Sequence, residues 1–146
     1  MGIINIIRTV KELHKKDVVM VRGGKFIYVY GKDAVIISYM YNYQIKKIEG
    51  NVNSCGFPET ALNKVISRLE DKCINYRVID RSNEYNVEIE EDYKNKNKYD
   101  EIYNVANKYI TKRNKVNEIY GYLMENLTND EINGKIVEIE KIVYEI

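Results

Sequence analysis

The stretch "VRGGKFIYVYGKDA", Val21 to Ala34, decides the fold, because it contains the pattern of a β-hairpin. The runs "DVVMVR" and "KFIYVY" are rich in β-branched and aromatic residues, which are typical of strands. Gly23 and Gly24 lie between these runs and predict a turn. We therefore expect two antiparallel strands that are joined at the glycine pair.

The second strand of this hairpin carries apolar side chains on both faces. Alternation places Phe26, Tyr28 and Tyr30 on one face. Ile27 and Val29 lie on the other face. One apolar face is enough to hold a strand in a core, so the aromatic face needs a second explanation. It either lies under the first helix or stacks on a ligand, and the strand pattern leaves both interpretations open.

The rest of the first ninety residues alternates between helix and strand patterns. Isoleucines at helical spacing predict an amphipathic helix over about residues 3–15. The later segments are predicted, in chain order, as a helix (32–41), a short strand or hairpin (43–53), a turn and helix (56–72) and two strands (75–81 and 85–90). This order predicts an α/β (α+β) fold with a mixed β-sheet flanked by helices.

The pattern changes near residue 92, where a polar loop is followed by apolar residues at near-heptad spacing. They predict a long helix over about residues 98–127. "LTND" then supplies capping residues for a last helix, although "KIVEIEKIVYEI" also fits a strand. The apolar face predicted for this helix contains Ile132, Ile136, Ile139, Val143 and Ile146. We therefore expect a core over residues 1–91 and a helical hairpin over residues 92–146 that packs on the core or on a partner.

Composition excludes several classes of protein. The chain has 146 residues, is 45% hydrophobic and contains one proline, as expected of a single globular domain. Cys55 and Cys73 belong to no metal-binding or redox motif, and the N-terminus lacks the pattern of a signal peptide or a myristoylation site. No segment is long enough to span a membrane. We therefore expect a cytoplasmic protein with reduced thiols.

Charge is unevenly distributed along the chain. Residues 1–50 hold nine Lys and Arg against four Asp and Glu, and the remainder has a net charge of −4. An anionic ligand is therefore expected to meet the first third of the chain.

Motifs of catalysis and cofactor binding are absent from the sequence. It contains neither a phosphate-binding P-loop nor a dinucleotide-binding glycine fingerprint. His14 is the sole histidine and has no Cys or His cluster around it, so a zinc site and a conventional nucleophile pair are disfavoured. We expect a protein that is not an enzyme and that binds no cofactor or metal.

Two motifs lie in the order and at the spacing of a known family. The residues of the first motif are Arg22, Gly24, Phe26, Tyr30, Asp33 and Ala34. Those of the second motif are Gly56, Phe57, Pro58, Ala61 and Leu62. Together they resemble R-x-G-x-F-Y-E-x-F-x-x-D-A and G-[IVF]-P-x-x-A-L of the N-terminal mismatch-recognition domain of MutS proteins, MutS domain I. The resemblance covers about residues 3–82 and implies a small stand-alone protein of this type.

The resemblance implies a way of contacting DNA. In MutS proteins the phenylalanine of a Phe-x-Glu motif wedges into the minor groove and stacks on an unpaired base, and the glutamate hydrogen-bonds that base. Phe26 matches the phenylalanine, whereas Tyr28 replaces the glutamate and supplies no carboxylate. The ATPase, connector, lever and clamp domains of MutS proteins have no counterpart in these 146 residues, so DNA binding would proceed without ATP.

The leading hypothesis is a non-catalytic module that binds double-stranded DNA, mispaired or otherwise distorted. Phe26 and Tyr28 would stack on bases, and Arg22, Lys25 and Lys32 would contact phosphates. The alternating aromatics also leave open a platform for single-stranded DNA or RNA. The main alternative is a protein-interaction or dimerisation module that has kept the fold and lost mismatch recognition, with a protein partner or a second copy bound through residues 98–146.

Overall fold

The computed structural model describes residues 2–145, which form six strands and five α-helices. In chain order these are α1 (Ile3–Leu13), β1 (Val18–Gly23), β2 (Phe26–Tyr30), α2 (Lys32–Tyr41), β3 (Ile45–Ile48), β4 (Val52–Pro58), α3 (Leu62–Asp71), β5 (Tyr76–Asp80), β6 (Asn86–Glu91), α4 (Tyr99–Glu125) and α5 (Ile132–Tyr144).

All six strands form one mixed sheet with the order β3-β4-β2-β1-β5-β6. β1 and β5 are parallel, and every other neighbouring pair is antiparallel. The α/β (α+β) fold class is therefore confirmed, and so is the β1–β2 hairpin at its centre.

The larger apolar core lies on the sheet face that contains Ile27 and Val29. α2 is buried along most of its length, and α3 contributes the four residues of its apolar face (Leu62, Val65, Ile66 and Leu69). Tyr99 at the start of α4 is also buried in this core. The segment after residue 92 therefore contributes to the apolar core on this face of the sheet.

The opposite face of the sheet is only partly covered. Ile7 of α1 packs there against Val19, Val21 and Ile79. Tyr30 is half-buried in the same cluster. On the β3–β4 side of this face Gln44, Lys46 and Gly56 are exposed, so the exposed part of β2 borders a solvent-accessible part of the sheet.

Two details of the predicted elements are wrong. The hairpin turn consists of Gly24 and Lys25, because Gly23 is still paired in β1. The turn expected at residues 56–58 is the end of β4, where Phe57 pairs with Ile27 and is buried in the core. The last helix is confirmed, and the strand that its residues also fitted is not formed.

The chain forms two compact units, Met1–Tyr109 and Ile110–Ile146. Within the second unit Lys135, in the first turn of α5, donates a hydrogen bond of 2.8 Å to the hydroxyl oxygen of Tyr122, in the last turn of α4. The two predicted helices are thus confirmed, whereas their packing as a hairpin stays a prediction, and Ile146 of the predicted apolar face lies outside the described residues. The boundary expected between residues 91 and 92 stays a prediction.

Candidate nucleic-acid interface

The aromatic face of β2 changes from buried to exposed along the strand. Tyr30 lies under α1, whereas Tyr28 is 36% exposed and Phe26 is 48% exposed. Ile27 and Val29 are completely buried on the other face. Tyr30 therefore serves the core, whereas the rings of Phe26 and Tyr28 are partly open to solvent, and stacking on a ligand stays a prediction for these two residues.

Phe26 owes its exposure to the hairpin turn. It pairs with Gly23 at the last position of the β1–β2 ladder. Gly24 has a φ angle of 66°, the left-handed conformation that a two-residue type II′ turn requires at its first position. The backbone amide of Glu59 donates a hydrogen bond of 2.9 Å to the carbonyl oxygen of Lys25, which fastens the turn to the end of β4. Phe26 is thus held at a fixed tip.

Tyr28 lies flat across two glycines on the neighbouring strands. Gly56 is its direct partner in β4, and a Cβ atom built there would lie 3.0 Å from Tyr28 Cε1. A Cβ atom at Gly23 of β1 would lie 3.5 Å from Cε2 on the other side of the ring. Because neither glycine raises a side chain, the ring can rest on the backbone and leave one face open.

The two exposed rings form one surface, which we call the aromatic platform (Phe26 and Tyr28). Their centroids are 6.3 Å apart and their planes differ by 29°. This near-parallel arrangement offers successive π-faces of the kind on which nucleobases stack.

A groove of about 300 Å³ runs beside the platform. Its walls are the two platform rings on one side and Gln44 and Lys46 on the other, with Ser54 and Gly56 as its floor. The register explains this arrangement, since Lys46 pairs with Ser54 and Ser54 pairs with Tyr30. Sequence analysis did not identify this groove, because its walls come from strands whose pairing no local pattern specifies.

Arg22 lies apart from the platform. It pairs with Ile27, so alternation places it on the opposite face of the sheet from the aromatic rings. Its guanidinium group forms ion pairs with Glu59 at 2.9 Å and with Glu88 at 3.0 Å. Arg22 therefore neutralises two carboxylates near the hairpin turn.

The two predicted lysine contacts lie at opposite ends of β2. Lys25 is an exposed turn residue next to Phe26. Lys32 is the first residue of α2, and its ammonium group lies 4.9 Å from the centroid of the Tyr103 ring. The four residue steps from Phe26 to Tyr30 alone separate the two ends by about 13 Å. The structure thus brings Lys25 to the platform and leaves Lys32 away from it.

Neither a metal centre nor a membrane span is found in the described part of the chain. No three His, Cys, Asp or Glu residues among positions 2–145 come together in a way that could hold a metal ion. No helix within the same range has the length and apolar character needed to cross a membrane.

Comparison with known families agrees with this arrangement of strands, turn and exposed rings. The sequence model described as MutS domain I matches residues 2–119. The chain belongs to the MutS domain I family. No curated protein matches the chain.

Membership extends the similarity beyond the two motifs. The match includes the whole sheet and continues into α4, the helix that begins at Tyr99. At the family level the chain is a domain of the mismatch-recognition type, which is associated with DNA binding and mismatch repair and is not itself catalytic.

Proposed function

We propose that this MutS domain I protein is a non-catalytic module that binds distorted or mispaired duplex DNA by inserting Phe26. The observation that carries the proposal is the exposure of Phe26 at the tip of a hairpin whose aliphatic residues are all buried. Together with Tyr28 this ring forms an exposed aromatic patch that the core does not require, and such a patch is available for binding.

The physical role of Phe26 is that of a wedge. Unstacking a base step costs a few kcal/mol, and the cost is least where pairing is already defective. Apolar contact with the ring offsets that cost, and Tyr28 lies directly behind Phe26 to stack on the base that is displaced. Selectivity for defective duplex then arises from the lower cost of opening it.

Phosphate contacts determine the salt dependence of binding. Lys25 is exposed and beside Phe26, so it contacts phosphate without giving up a partner. Arg22 and Lys32 must exchange present partners for phosphate, namely two carboxylates for Arg22 and the Tyr103 ring for Lys32. We therefore expect Lys25→Gln to reduce the slope of log K against log salt by about one, and Arg22→Gln and Lys32→Gln to reduce it less.

Fluorescence anisotropy at low and moderate salt tests the wedge. The probes are matched duplex, duplex with one mispair, duplex with one unpaired base, and single strand. We expect the two defective duplexes to bind most tightly, and Phe26→Ala to weaken their binding about tenfold. Circular dichroism should show an unchanged fold, because the ring is only half-buried.

Leu13→Ala is the matched control, since Leu13 is an apolar residue that is 78% exposed on α1. Its removal should leave DNA binding at the wild-type level. Absence of binding to every duplex at low salt, or an equal loss in Leu13→Ala and Phe26→Ala, would refute the wedge. Preference for single strands over all duplexes would favour a single-strand platform instead.

A second candidate function rests on the helical unit, Ile110–Ile146. Many of its large apolar side chains are exposed, which is unusual for a surface without a partner. They are Val116, Ile119, Tyr120, Tyr122, Met124, Leu127, Val137, Ile139, Ile142, Val143 and Tyr144. We propose that a second copy of this chain covers them.

Charge along α4 favours a second copy over an unrelated partner. Lys112 and Lys115 precede the apolar stretch, and Glu118 and Glu125 lie further along the helix. Two α4 helices running antiparallel would therefore set the basic end of each against the acidic end of the other, as a two-fold interface requires.

Light scattering after size exclusion measures the mass of the species in solution. We expect a dimer for the wild type and a monomer for Ile119→Glu, whose side chain is 55% exposed in the wild type. Leu13→Glu places the same charge on the other unit and should remain dimeric. A wild-type protein that stays monomeric at every concentration would exclude this function.

A further inference from the structure

We propose that a cleft between α2 and α3 is a docking site for an extended peptide of a partner protein, in which acidic and apolar residues alternate. The cleft consists of two adjoining cavities of about 600 and 360 Å³, and it lies within the unit Met1–Tyr109. We call it the basic cleft and define it by a cationic wall (Lys64, Arg68 and Lys72) and an apolar wall (Tyr39, Met40 and Ile102). The inference goes beyond DNA binding, because it concerns a second ligand at a second site.

The cationic wall is a row of three side chains along α3. Lys64, Arg68 and Lys72 follow one another at four-residue intervals and therefore lie on one side of the helix. The backbone amide of Lys72 donates a hydrogen bond of 3.1 Å to the carbonyl oxygen of Arg68, which keeps Lys72 in line with the last turn. Both lysines are exposed, and within residues 2–145 neither ammonium group forms an ion pair. Among the described residues that line the cleft, these three cations outnumber one carboxylate, Asp71.

The apolar wall is held against the cationic wall by Arg68. Nη1 of Arg68 donates a hydrogen bond of 2.6 Å to the carbonyl oxygen of Met40, whose side chain packs against the core. The guanidinium carbon lies 5.2 Å from the centroid of the Tyr41 ring. Tyr39 packs edge-on against Tyr109, with ring centroids 5.3 Å apart. Arg68 therefore ties the two walls together, so the cleft is formed before a ligand arrives.

The spacing of the cations fits an extended peptide. The helical rise places successive cations about 6 Å apart, and Lys64 about 12 Å from Lys72. In an extended chain alternate side chains lie on the same side at intervals of about 6.7 Å. Three acidic residues at alternate positions therefore match the cationic wall, and the two residues between them turn towards the apolar wall.

The contacts of the cleft favour a peptide over a single strand of nucleic acid. Binding of single strands depends on open aromatic faces on which bases stack. The Tyr41 ring is engaged instead, because it lies beneath Arg68 and stacks on Tyr43 with centroids 5.8 Å apart. Asp71 repels phosphates, whereas it can accept a hydrogen bond from a peptide amide.

The basic cleft and the aromatic platform lie on opposite sides of the sheet. α2 and α3 pack on the face that contains Ile27 and Val29, whereas Phe26 and Tyr28 point away from that face. A peptide in the cleft therefore leaves the platform open. One molecule could then hold a partner protein while the platform contacts DNA.

Fluorescence anisotropy at low salt with the labelled peptide Glu-Leu-Glu-Leu-Glu tests the basic cleft. We expect saturable binding by the wild type and about fivefold weaker binding by Lys64→Glu and by Lys72→Glu. Lys15→Glu is the matched control, because it makes the same change of charge at another exposed lysine and should bind as the wild type does. The peptide Glu-Glu-Glu-Leu-Leu has the same composition without the alternation, and it should bind more weakly to the wild type.

The outcomes separate the basic cleft from the proposed DNA binding. Phe26→Ala should leave the affinity for the peptide unchanged, whatever it does to the binding of duplexes. Equal weakening by Lys15→Glu and Lys64→Glu would refute the cleft, since it would indicate attraction by the overall charge. A wild-type protein that does not bind the peptide up to millimolar concentrations would refute it as well. Tighter binding of oligothymidylate than of the peptide, lost in Lys64→Glu, would overturn the peptide proposal in favour of a nucleic-acid site.

Discussion

The hydroxyl group of Tyr99 donates a hydrogen bond of 2.6 Å to a carboxylate oxygen of Asp33, which is 1% exposed. The same carboxylate accepts from the Lys11 ammonium group at 3.1 Å and from the Val19 amide at 3.0 Å. Four elements, α1, β1, α2 and α4, therefore meet at one buried acid. Burial raises the pKa of Asp33 and that of Tyr99, so the phenol stays neutral and remains a donor.

Removing the Tyr99 hydroxyl group should destabilise the protein. We expect Tyr99→Phe to lower the free energy of unfolding by about 1–3 kcal/mol, because it leaves a buried carboxylate short of one donor. Urea denaturation followed by circular dichroism measures the change. Tyr103→Phe is the matched control on the same helix, and it should cost less than half as much. Equal losses of unfolding free energy in the two variants would show that the hydrogen bond from Tyr99 to Asp33 does not stabilise the fold.

Tyr41 should make the protein sensitive to alkali. Its hydroxyl group donates a hydrogen bond of 2.8 Å to the carbonyl oxygen of Val65, and burial raises its pKa to about 12. The pKa of Tyr41 in the folded state lies above the unfolded value of about 10. The contribution of its neutral hydroxyl group to stability is therefore complete below pH 10 and is lost as the pH rises through 12.

Tyr41→Phe should therefore lower stability at pH 8 by about 1 kcal/mol and make the decline between pH 10 and pH 12 shallower. Chemical denaturation at several pH values measures both effects. Leu13→Ala should retain the steepness of the wild-type profile. Superimposable profiles of Tyr41→Phe and the wild type above pH 10 would contradict the assignment.

Tyr28→Glu should change the kind of defect that the protein prefers. The substitution restores the Phe-x-Glu pattern that MutS proteins use, and a carboxylate beside Phe26 can hydrogen-bond a displaced base. It also removes the ring on which an unpaired purine would stack. We expect the affinity for duplex with a mispair, divided by the affinity for duplex with an unpaired adenine, to rise about tenfold in the anisotropy assay. An unchanged ratio would mean that position 28 does not contact the base.

Local patterns were sufficient to predict the elements of this fold. The hairpin, the four-residue apolar face of α3 and the last two helices all follow from periodicity and turn residues within each segment. Alternation along both strands of a hairpin with a two-residue turn also places Arg22 on the face of Ile27, away from Phe26. The turn at residues 56–58 was predicted wrongly because Phe57 fills the core, which a local pattern does not reveal.

The groove cannot be predicted from local patterns, because it depends on the register between paired strands. Whether Lys46 or Lys47 faces Tyr28 is decided by the register of β3 on β4 and of β4 on β2. A shift of one residue in either pairing exchanges the two lysines between faces. That register is fixed by tertiary packing, such as the burial of Phe57 and Cys55. The sequence shows two adjacent lysines and no reason to choose between them.

Gly56→Ala should impair the groove without disturbing the fold. The new Cβ atom would lie 3.0 Å from Tyr28 Cε1 and 3.1 Å from Cδ1, so the half-exposed ring must tilt away from the sheet. Because the ring has room to move into solvent, we expect stability to change by less than about 1 kcal/mol.

Binding to duplex with an unpaired adenine should weaken about threefold or more in Gly56→Ala, measured by anisotropy beside matched duplex. Gly23→Ala is the control on the other side of the same ring, where a Cβ atom would lie 3.5 Å from Tyr28 Cε2, an ordinary contact outside the groove. It should bind as the wild type does. Equal weakening of binding by Gly23→Ala and Gly56→Ala would show that the affinity depends on the position of the Tyr28 ring and not on the groove. If neither weakens it, Tyr28 does not serve as the platform for a base.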